Sequence, residues 1–407
     1  MKKVYPFDKN LFFKINKLHK SYRFIIENYN KPFYLYSTEV IKFQYRNLRI
    51  SFPGKVKFYY AQKSNPSKHI LKTLSKMNAG CDTASLGEIK NALIADFKAS
   101  EIMFSGPGKN KKELIFAIKN NVSLINVESF QELEEINGIC IKENKIQKIL
   151  LRINPHFDSN EKNKIIGGKG VSKFGVDIKE IPRIIKFINE TKNIKLSGFH
   201  IFNSSQILNN KNIINNSKNV IELIKNICEK YFLNISIIDL GGGFGIPYSS
   251  EEKELDLKII STGIKKIIND KKYKNFLKNI KLIFEPGRYI SGMSGIYVTK
   301  VLYTKKSYNK NILITEGGIN HLLRPALINQ KHPIINLTAL IEKRTKTESY
   351  KIAGPLCTAL DEFDENCTLQ ESKPGDFLAI LNAGAYGYTE SMLQFLSHPL
   401  PEQKYLN

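Results

Sequence analysis

The chain has 407 residues, of which 42% are hydrophobic and 25% charged, with 25 glycines and 15 prolines. This composition excludes collagen-like, low-complexity and disordered proteins, and the length suffices for one barrel of about 250 residues plus a further domain. No run of about 18 apolar residues occurs, and Asp8, Lys9 and Asn10 interrupt the segment where a signal peptide would need an apolar core. We therefore expect a cytoplasmic protein without a membrane partner.

The formal net charge of +24 raises the question of a nucleic-acid partner. The positive charge comes from 54 lysines and eight arginines, which are spread along the chain without a dense basic block. Dispersed lysine is typical of a solvated surface, so the sequence predicts no nucleic-acid partner. The basic surface would instead suit an acidic substrate or an acidic carrier protein.

The cysteines are five in number and form no CxxC pair. An odd count without such pairs argues against a disulfide framework and against a structural zinc site. We expect reduced thiols and no metal.

Eight short β-branched or aromatic runs alternate with longer segments in which apolar residues recur at helical spacing. The predicted strands are residues 56–61, 80–84, 102–105, 124–127, 148–153, 196–201, 235–240 and 281–285. Helices are predicted between them, among others at 67–78, 86–96, 129–143, 179–191 and 216–232. Strict alternation over about 230 residues is typical of a parallel barrel with right-handed crossovers, so the sequence predicts an α/β protein with a (β/α)8 TIM barrel.

The pattern changes after about residue 295, where strand-like segments follow one another with turn residues between them. This texture predicts a second, mostly β domain of barrel or sandwich type at the C-terminal end. We expect residues 33–290 to form the barrel and residues 1–32 to join residues 291–407 in the second domain.

Unusual polar and glycine-rich pieces stand where the predicted barrel strands end. Lys63 follows the first strand, Asp82 lies in the second, His200 ends the sixth, Gly241–Gly243 follows the seventh, and Glu285–Arg288 follows the eighth. In barrel enzymes the loops after the strands build the active site. Their convergence predicts a functional site at that end of the barrel.

The glycines at 241–243 let the backbone approach a ligand closely and offer N–H groups to an anion such as phosphate, although a tight turn would explain them equally. Arg288 supplies a fixed cation nearby in the sequence. Barrels often place a phosphate site after strands seven and eight, so these two pieces predict one.

Each remaining candidate has an ordinary explanation beside the functional one. Glu285 ends an apolar strand, so it either pairs with a lysine or holds a proton on a heterocyclic nitrogen. Lys63 is a surface lysine or a reactive group at the rim, and His200 is a core histidine or a flat ring that stacks on a cofactor. Cys357 is a small buried hydrophobe or a nucleophile or proton donor.

Ten segments together resemble the pyridoxal-phosphate-dependent decarboxylases of the alanine-racemase-like fold, in particular the ornithine and diaminopimelate decarboxylases (fold type III). They are YYAQKSNP, GCDTASLGEI, FSGPGKNKKEL, SKFGVD, GFHIFNSSQ, DLGGGFGIPY, EPGRYISG, RPAL, GPLCTALD and NAGAYGYTESM. The resemblance runs from about Pro32 onward and implies a barrel with a β domain, which agrees with the prediction made from periodicity.

The resemblance implies that pyridoxal 5′-phosphate (PLP) is the cofactor and assigns roles to single residues. Lys63 would bond covalently to the cofactor aldehyde, His200 would stack on the ring, Glu285 would contact the ring nitrogen, and Asp82 would lie near the ring. The phosphate would be held by Ser205, Gly241, Gly242, Gly243 and Arg288, with Tyr386 close by. Pro286 and Gly287 would also belong to the cofactor-binding residues.

Cys357 resembles the cysteine that reaches the active site of the partner subunit and helps to protonate the carbanion left by CO2. This implies a homodimer with shared active sites. The glutamate of EPGR favours decarboxylation, because the racemases of this fold place an arginine at the ring nitrogen.

The resemblance determines the substrate less closely than it determines the cofactor. The segments that would bind the distal end of the substrate contain Arg324, Thr358 and Asp361. Diaminopimelate decarboxylases carry RPxLY and GPxCES, whereas this chain has Ile328 after RPAL and Thr358 after Cys357. Losing the acidic partner of a distal amino group argues against free diaminopimelate and favours a subgroup that acts on conjugated or carrier-tethered amino acids, as in siderophore pathways.

Three hypotheses follow from these observations. The leading one is a PLP-dependent α-decarboxylase of an amino acid or an amino-acid conjugate. The second is a diaminopimelate decarboxylase that makes lysine, or an ornithine-, lysine- or arginine-type decarboxylase for polyamines. The third, favoured only by the +24 charge, is a non-catalytic cofactor-binding or polyanion-binding protein.

Overall fold

The computed structural model describes residues 4–155 and 172–406 and divides the chain into two compact units. The barrel unit comprises residues 45–245 and 255–287, and the β unit comprises residues 1–44, 246–254 and 288–407. Within the described ranges, none of the helices is both long enough and apolar enough to cross a lipid bilayer.

The barrel unit is a closed ring of eight parallel strands. They are β2 (Val56–Ala61), β3 (Gly80–Thr83), β4 (Ile102–Phe104), β5 (Leu124–Val127), β6 (Gln147–Asn154), β8 (Ile194–His200), β9 (Ile237–Asp239) and β10 (Lys281–Phe284). Neighbours in this order pair with one another, and β10 pairs with β2 to close the ring. A two-residue strand, β7 (Val176–Asp177), adds to β6. The predicted barrel and its eight strands are confirmed.

Helices follow most barrel strands. They are α4 (Lys68–Lys76), α5 (Leu86–Ile94), α6 (Lys111–Lys119), α7 (Phe130–Lys142), α8 (Ile181–Glu190), α9 (Asn210–Lys230) and α10 (Leu257–Asn269), and the end of α3 (Thr38–Ser51) precedes the first strand. Ser67 occupies the N-cap position of α4, but its side chain does not bond to the helix backbone. The caps of α5 and α7 are made by Ser85 and Ser129, whose hydroxyls accept from Glu88 N and Glu132 N.

The β unit contains a sheet of eight strands. They are β1 (Phe33–Ser37), β11 (Gly295–Ser307), β12 (Lys310–Thr315), β13 (Ile334–Asn336), β14 (Thr347–Ala353), β15 (Glu362–Gln370), β16 (Phe377–Ile380) and β17 (Glu402–Leu406). The order is β13-β16-β11-β12-β14-β15, with β1 pairing to β11 and to β17. Five short helices accompany them: α1 (Leu11–Asn16), α2 (Leu18–Asn28), α11 (Arg288–Ser291), α12 (Arg324–Ile328) and α13 (Leu337–Ile341).

The division between the units differs from the expected one at residues 32/33 and 290/291. β1 belongs to the β unit because its backbone pairs with β11 and with β17, and Phe33 and Leu35 lie in the apolar core of that unit. Residues 246–254 also belong to it, although they lie between two barrel strands in the sequence. There, Asn382 Nδ2 donates to Pro247 O and Arg288 Nη1 donates to Tyr248 Oη. Partners distant in the sequence decide both cases, and a local pattern does not reveal them.

The barrel wall leaves no room for a side chain at Gly198 of β8. A Cβ atom there would lie 1.8 Å from the carbonyl oxygen of Ile237 on β9. We predict that Gly198→Ala lowers the free energy of unfolding by about 1–3 kcal/mol or more, because the strand backbone has to move.

Gly138 in α7 provides the matched control, since a Cβ atom there would meet nothing within 4 Å. Gly138→Ala should raise the free energy of unfolding by about 0.5–1 kcal/mol, because alanine is the better helix former. Urea unfolding of both variants measures the two values. Equal effects of the two substitutions would contradict the tight β8–β9 contact.

Candidate active site

Polar side chains gather inside the barrel unit where its strands end. Asp82 lies in β3, His200 ends β8, Asp239 ends β9 and Glu285 follows β10, and all four are almost fully buried. Lys63 lies in the short turn after β2, with its Nζ 5.2 Å from the centre of the Phe202 ring. The sequence-based candidates of the barrel are therefore assembled at one end of the strands.

A chain of hydrogen bonds joins Asp82 to His200 across four strands. Ser105 Oγ donates to Asp82 Oδ1 at 2.5 Å, Asn126 Nδ2 donates to Ser105 Oγ at 2.9 Å, and Asn126 Nδ2 lies 3.2 Å from His200 Nδ1. The Asn126 amide and the imidazole are thus within hydrogen-bond distance of each other. The chain fixes the orientation of the His200 ring.

His200 faces two buried carboxyl groups. Its Nε2 lies 3.7 Å from Glu285 Oε2, and ligand atoms of His200, Asp239 and Glu285 all lie within 4.8 Å of one another. Burial lowers the pKa of His200 well below its usual range, and the charges of Arg152, Lys63 and Lys109 lower it further. The histidine is therefore neutral, and its contact with Glu285 is not an ion pair.

The two carboxyl groups resist ionisation together. Burial raises the pKa of Glu285 well above its usual range, and the neighbouring Asp239 and Asp82 raise it further. Burial also raises the pKa of Asp239 to about 7, although its carboxylate accepts a 2.9 Å hydrogen bond from Gly241 N. The pair can thus hold a proton at neutral pH, because two negative charges at this spacing in a buried site repel.

Glu128, directly after β5, braces three neighbouring pieces of the rim. Its carboxylate accepts from Gly106 N at 3.0 Å, from Gly175 N at 3.1 Å and from Arg152 Nη1 at 2.9 Å. The Arg152 guanidinium also lies 4.5 Å from the centre of the Phe174 ring. Both charges are buried and each satisfies the other, so the brace is rigid and costly to break.

The glycines after β9 make room for neighbouring backbone. Gly241 and Gly243 have φ of +69° and +97°, and a Cβ atom on Gly242 would lie 2.6 Å from the carbonyl oxygen of Glu285. A Cβ atom on Gly287 would lie 2.9 Å from Ser64 Cβ. The close approach of these loops requires glycine. Glycine-rich backbone of this kind also lets an anion come close, although the Gly241 N–H itself is engaged by Asp239.

Two buried arginines form a cluster within the β unit. The guanidinium carbon of Arg288 lies 4.7 Å from the centre of the Tyr386 ring, and that of Arg324 lies 5.0 Å from it. Arg288 Nη1 donates to Tyr248 Oη at 2.9 Å, and Arg324 Nη1 lies 2.5 Å from Glu390 Oε2. Among the described residues, the Nε atoms of both arginines have no hydrogen-bond partner.

The turn after β14 carries the remaining candidates. Cys357 is exposed, so the interpretation of this residue as a buried hydrophobe is wrong. Thr358 is half-buried and its hydroxyl accepts from Leu360 N. Ser205 is half-buried in the loop after β8.

The carboxylate of Asp361, predicted from the sequence to bind substrate, contacts backbone N–H groups. Its two carboxylate oxygens accept from Ile319 N and from Leu356 N, each at 2.7 Å, and the side chain is 3% exposed. These bonds hold the turn that carries Cys357. Asp361 therefore helps to position this loop. The sequence does not reveal this contact, because the donors are backbone groups.

Several site residues were not singled out from the sequence. Two of them left a signal there, since Asp239 ends the apolar run ISIID and Arg152 lies in the apolar strand KILLRI. A charge inside an apolar strand needs a buried partner. Three others lie in segments that carry the resemblance but were assigned no role: Ser105, Tyr248 and Glu390. The rest left no signal, because their contacts are with residues distant in the sequence: Asn126, Glu128 and His332.

The barrel residues fit the cofactor that the resemblance implies. Glu285 Oε1 and His200 Nε2 are buried and have no hydrogen-bond partner among the described residues. Buried polar atoms normally have a partner, so a polar group of a bound cofactor would fit here. A carboxyl that can carry a proton suits a pyridine nitrogen, a flat neutral imidazole suits stacking on its ring, and the glycine-rich backbone after β9 suits a phosphate. The spacing of His200, Asp239 and Glu285 is also one that metal ions use.

The raised pKa of Asp239 predicts how stability depends on pH in the cofactor-free protein. The folded state keeps a proton up to about pH 7, whereas an unfolded aspartate releases it near pH 4. The resulting stabilisation is complete below pH 4 and is lost as the pH rises through 7, on the order of 2–4 kcal/mol. Asp239→Asn should flatten this loss in urea unfolding between pH 5 and 8.

The exposed carboxylate of Glu251 provides the control, and Glu251→Gln should leave the slope as in the wild type. A wild-type slope retained in Asp239→Asn would show that Asp239 is ionised in the folded protein.

Comparison with known proteins gives a consistent answer. The family model for the pyridoxal-binding domain of pyridoxal-dependent decarboxylases matches residues 38–292. An L-glutamyl-[BtrI acyl-carrier protein] decarboxylase of Niallia circulans is 34% identical over 93% of this chain and 89% of its own. A diaminopimelate decarboxylase of Aquifex aeolicus is 33% identical over 90% of this chain and 84% of its own.

A solved structure supports the same assignment. The diaminopimelate decarboxylase of Helicobacter pylori complexed with L-lysine superposes with a TM-score of 0.86 at 33% identity, over 95% of this chain and 94% of its own. Sequence and fold therefore agree over nearly the whole length. The chain belongs to the pyridoxal-dependent decarboxylases, and it is an amino-acid decarboxylase that uses PLP.

Proposed function

We propose that the natural substrate is an amino acid tethered through its distal end to an acidic carrier protein. The observation that carries this proposal is the similarity, over almost the full length, to the Niallia circulans enzyme, whose name states that it acts on a glutamyl group held by an acyl-carrier protein. The net charge of +24 supports it, since a basic enzyme attracts an acidic partner.

The turn beside Cys357 supports the same substrate class. Thr358 follows the cysteine and carries no negative charge, and the carboxylate of Asp361 is engaged by backbone N–H groups. A free ammonium group at the distal end of a diamino acid would find no carboxylate from these two residues. A distal carbonyl bonded to a carrier does not require one.

We assign the following roles in the barrel. Lys63 binds the cofactor covalently, His200 stacks on its ring, and Asp82 orients His200 through Ser105 and Asn126. When bound, PLP supplies a protonated ring that accepts the electron pair of the broken Cα–carboxylate bond. The buried carboxyl of Glu285 holds the proton on the ring nitrogen.

The phosphate is assigned to groups that offer N–H donors or positive charge. The resemblance names them as Ser205, Gly241, Gly242, Gly243, Gly287 and Arg288, with Tyr386 beside Arg288. Pro286 fixes the backbone between Glu285 and Gly287. Backbone N–H donors in a loop or at the start of a helix can bind such a dianion.

Cys357 is proposed as the donor of the proton that replaces CO2 at Cα. Its exposed thiol suits delivery to the active site of a second subunit, as in the homodimer expected from the resemblance. We further propose that the enzyme acts in the cytoplasm, in a specialised pathway such as siderophore assembly.

The role of Lys63 predicts a spectroscopic result. Lys63→Ala should abolish the visible absorption band of lysine-bound PLP and reduce CO2 release by at least about a thousandfold. Lys57→Ala, which removes an exposed lysine from the neighbouring strand β2, should leave both unchanged. An unaltered band in Lys63→Ala would refute the assignment.

The carrier proposal predicts substrate choice and salt dependence. CO2 release from an L-glutamyl group on an acyl-carrier protein should exceed release from free glutamate, meso-diaminopimelate, ornithine and lysine by at least about a hundredfold in kcat/KM. The carrier reaction should slow roughly tenfold between 50 and 500 mM salt, because screening weakens the attraction of opposite charges. A rate independent of salt would remove the electrostatic contribution to recognition.

The second candidate function is the decarboxylation of free diaminopimelate. The Aquifex aeolicus and Helicobacter pylori relatives carry this name and match the chain about as well as the carrier-protein enzyme does. Physiological turnover of free meso-diaminopimelate in the same assay would establish this candidate and overturn the carrier proposal.

A further inference from the structure

Arg324 is a buried cation that already has an anion from its own chain. Its side chain is 3% exposed, and its Nη1 lies 2.5 Å from Oε2 of Glu390, whose side chain is 35% exposed. Its Nη2 donates to Gln330 Oε1 at 3.1 Å. The Nε–H has no partner among the described residues. One donor of the guanidinium therefore remains open while its charge is compensated.

The charge of the surrounding cluster follows from its members. Arg288 and Arg324 lie against the Tyr386 ring, and Glu390 is the carboxylate that acts on both guanidinium groups. His332 is neutral, because burial lowers its pKa to about 3. Two positive charges and one negative charge leave a single positive charge. The phosphate proposed for Arg288 can use that charge, which leaves none for a second anion.

We infer that Glu390 determines which distal group the substrate can carry, by occupying Arg324 so that the site accepts a neutral carbonyl and rejects a free carboxylate. This inference rests on the proposed function and extends it from the carrier to the chemistry of the tethered end. Glu390 acts through Arg324 and is a specificity-determining residue.

The physical reason is competition for one buried cation. A distal carboxylate would have to share the guanidinium with Glu390, and two carboxylates on one buried arginine leave an uncompensated negative charge. A thioester or amide carbonyl needs only a hydrogen-bond donor, which the open Nε–H can supply. The arrangement therefore excludes free dicarboxylic amino acids by charge.

The test compares two ligands that differ only at the distal end. Glutarate carries a carboxylate there and glutaramate a neutral amide, and their dissociation constants for the PLP-loaded protein are measured by calorimetry. The wild type should bind glutaramate at least as tightly as glutarate. Glu390→Gln should tighten glutarate binding roughly tenfold and change glutaramate binding by less than about twofold. Glu390→Asp, which keeps the charge, should behave like the wild type.

A second variant separates the local effect from a general change in charge. In Glu390→Gln combined with Arg324→Met, the gain in glutarate binding should disappear. The inference is wrong if tighter glutarate binding persists without Arg324, or if Glu390→Gln does not bind glutarate more tightly. It is also wrong if the wild type itself binds glutarate tenfold more tightly than glutaramate, a result that requires no variant. The carrier proposal fails on a different measurement, the absence of turnover of the carrier-bound substrate.

Discussion

The barrel unit depends on one constraint, which is that carboxyl groups are buried together where its strands end. Asp82 lies in β3, Asp239 ends β9 and Glu285 follows β10. The charges of Asp239 and Asp82 raise the pKa of Glu285, and the charge of Asp82 raises that of Asp239. A core of this kind is stable only if protons and hydrogen bonds compensate the charge. Ser105, Asn126 and the backbone at Gly241 provide the hydrogen bonds. The same constraint yields a site that holds a proton at neutral pH, as a protonated heterocycle requires.

The arginines of the molecule illustrate the complementary case. The positive charge of Arg152 is compensated by Glu128, and that of Arg324 by Glu390. Arg288, in contrast, has a tyrosine hydroxyl as its hydrogen-bond partner. Buried cations that differ in compensation differ in what they can bind. A fully paired arginine serves as a brace, and one with an open donor or an uncompensated charge is available to a ligand. Specificity in this chain is thus partly a matter of which cations its own carboxylates already occupy.

The sequence was sufficient for the barrel and insufficient for the network inside it. All eight barrel strands were predictable, because short apolar runs between amphipathic helices leave few alternatives. Lys63, His200 and Glu285 were predictable as candidates because they stand at strand ends. Asn126 could not be singled out, since its role depends on Ser105 and His200, which are 21 and 74 residues away. The same reason hid the backbone donors that engage Asp361.

The discontinuous β unit has a consequence for the order of assembly. β1 pairs in parallel with β17, so Phe33 meets Glu402 and Ser37 meets Leu406. The ring of barrel strands, in contrast, is complete in the sequence at Phe284. On the ribosome, the barrel can close while β1 still lacks its last neighbour, and an open strand edge invites wrong pairing until that neighbour emerges. The final strand of the sheet therefore controls how long the nascent chain is exposed to misassembly.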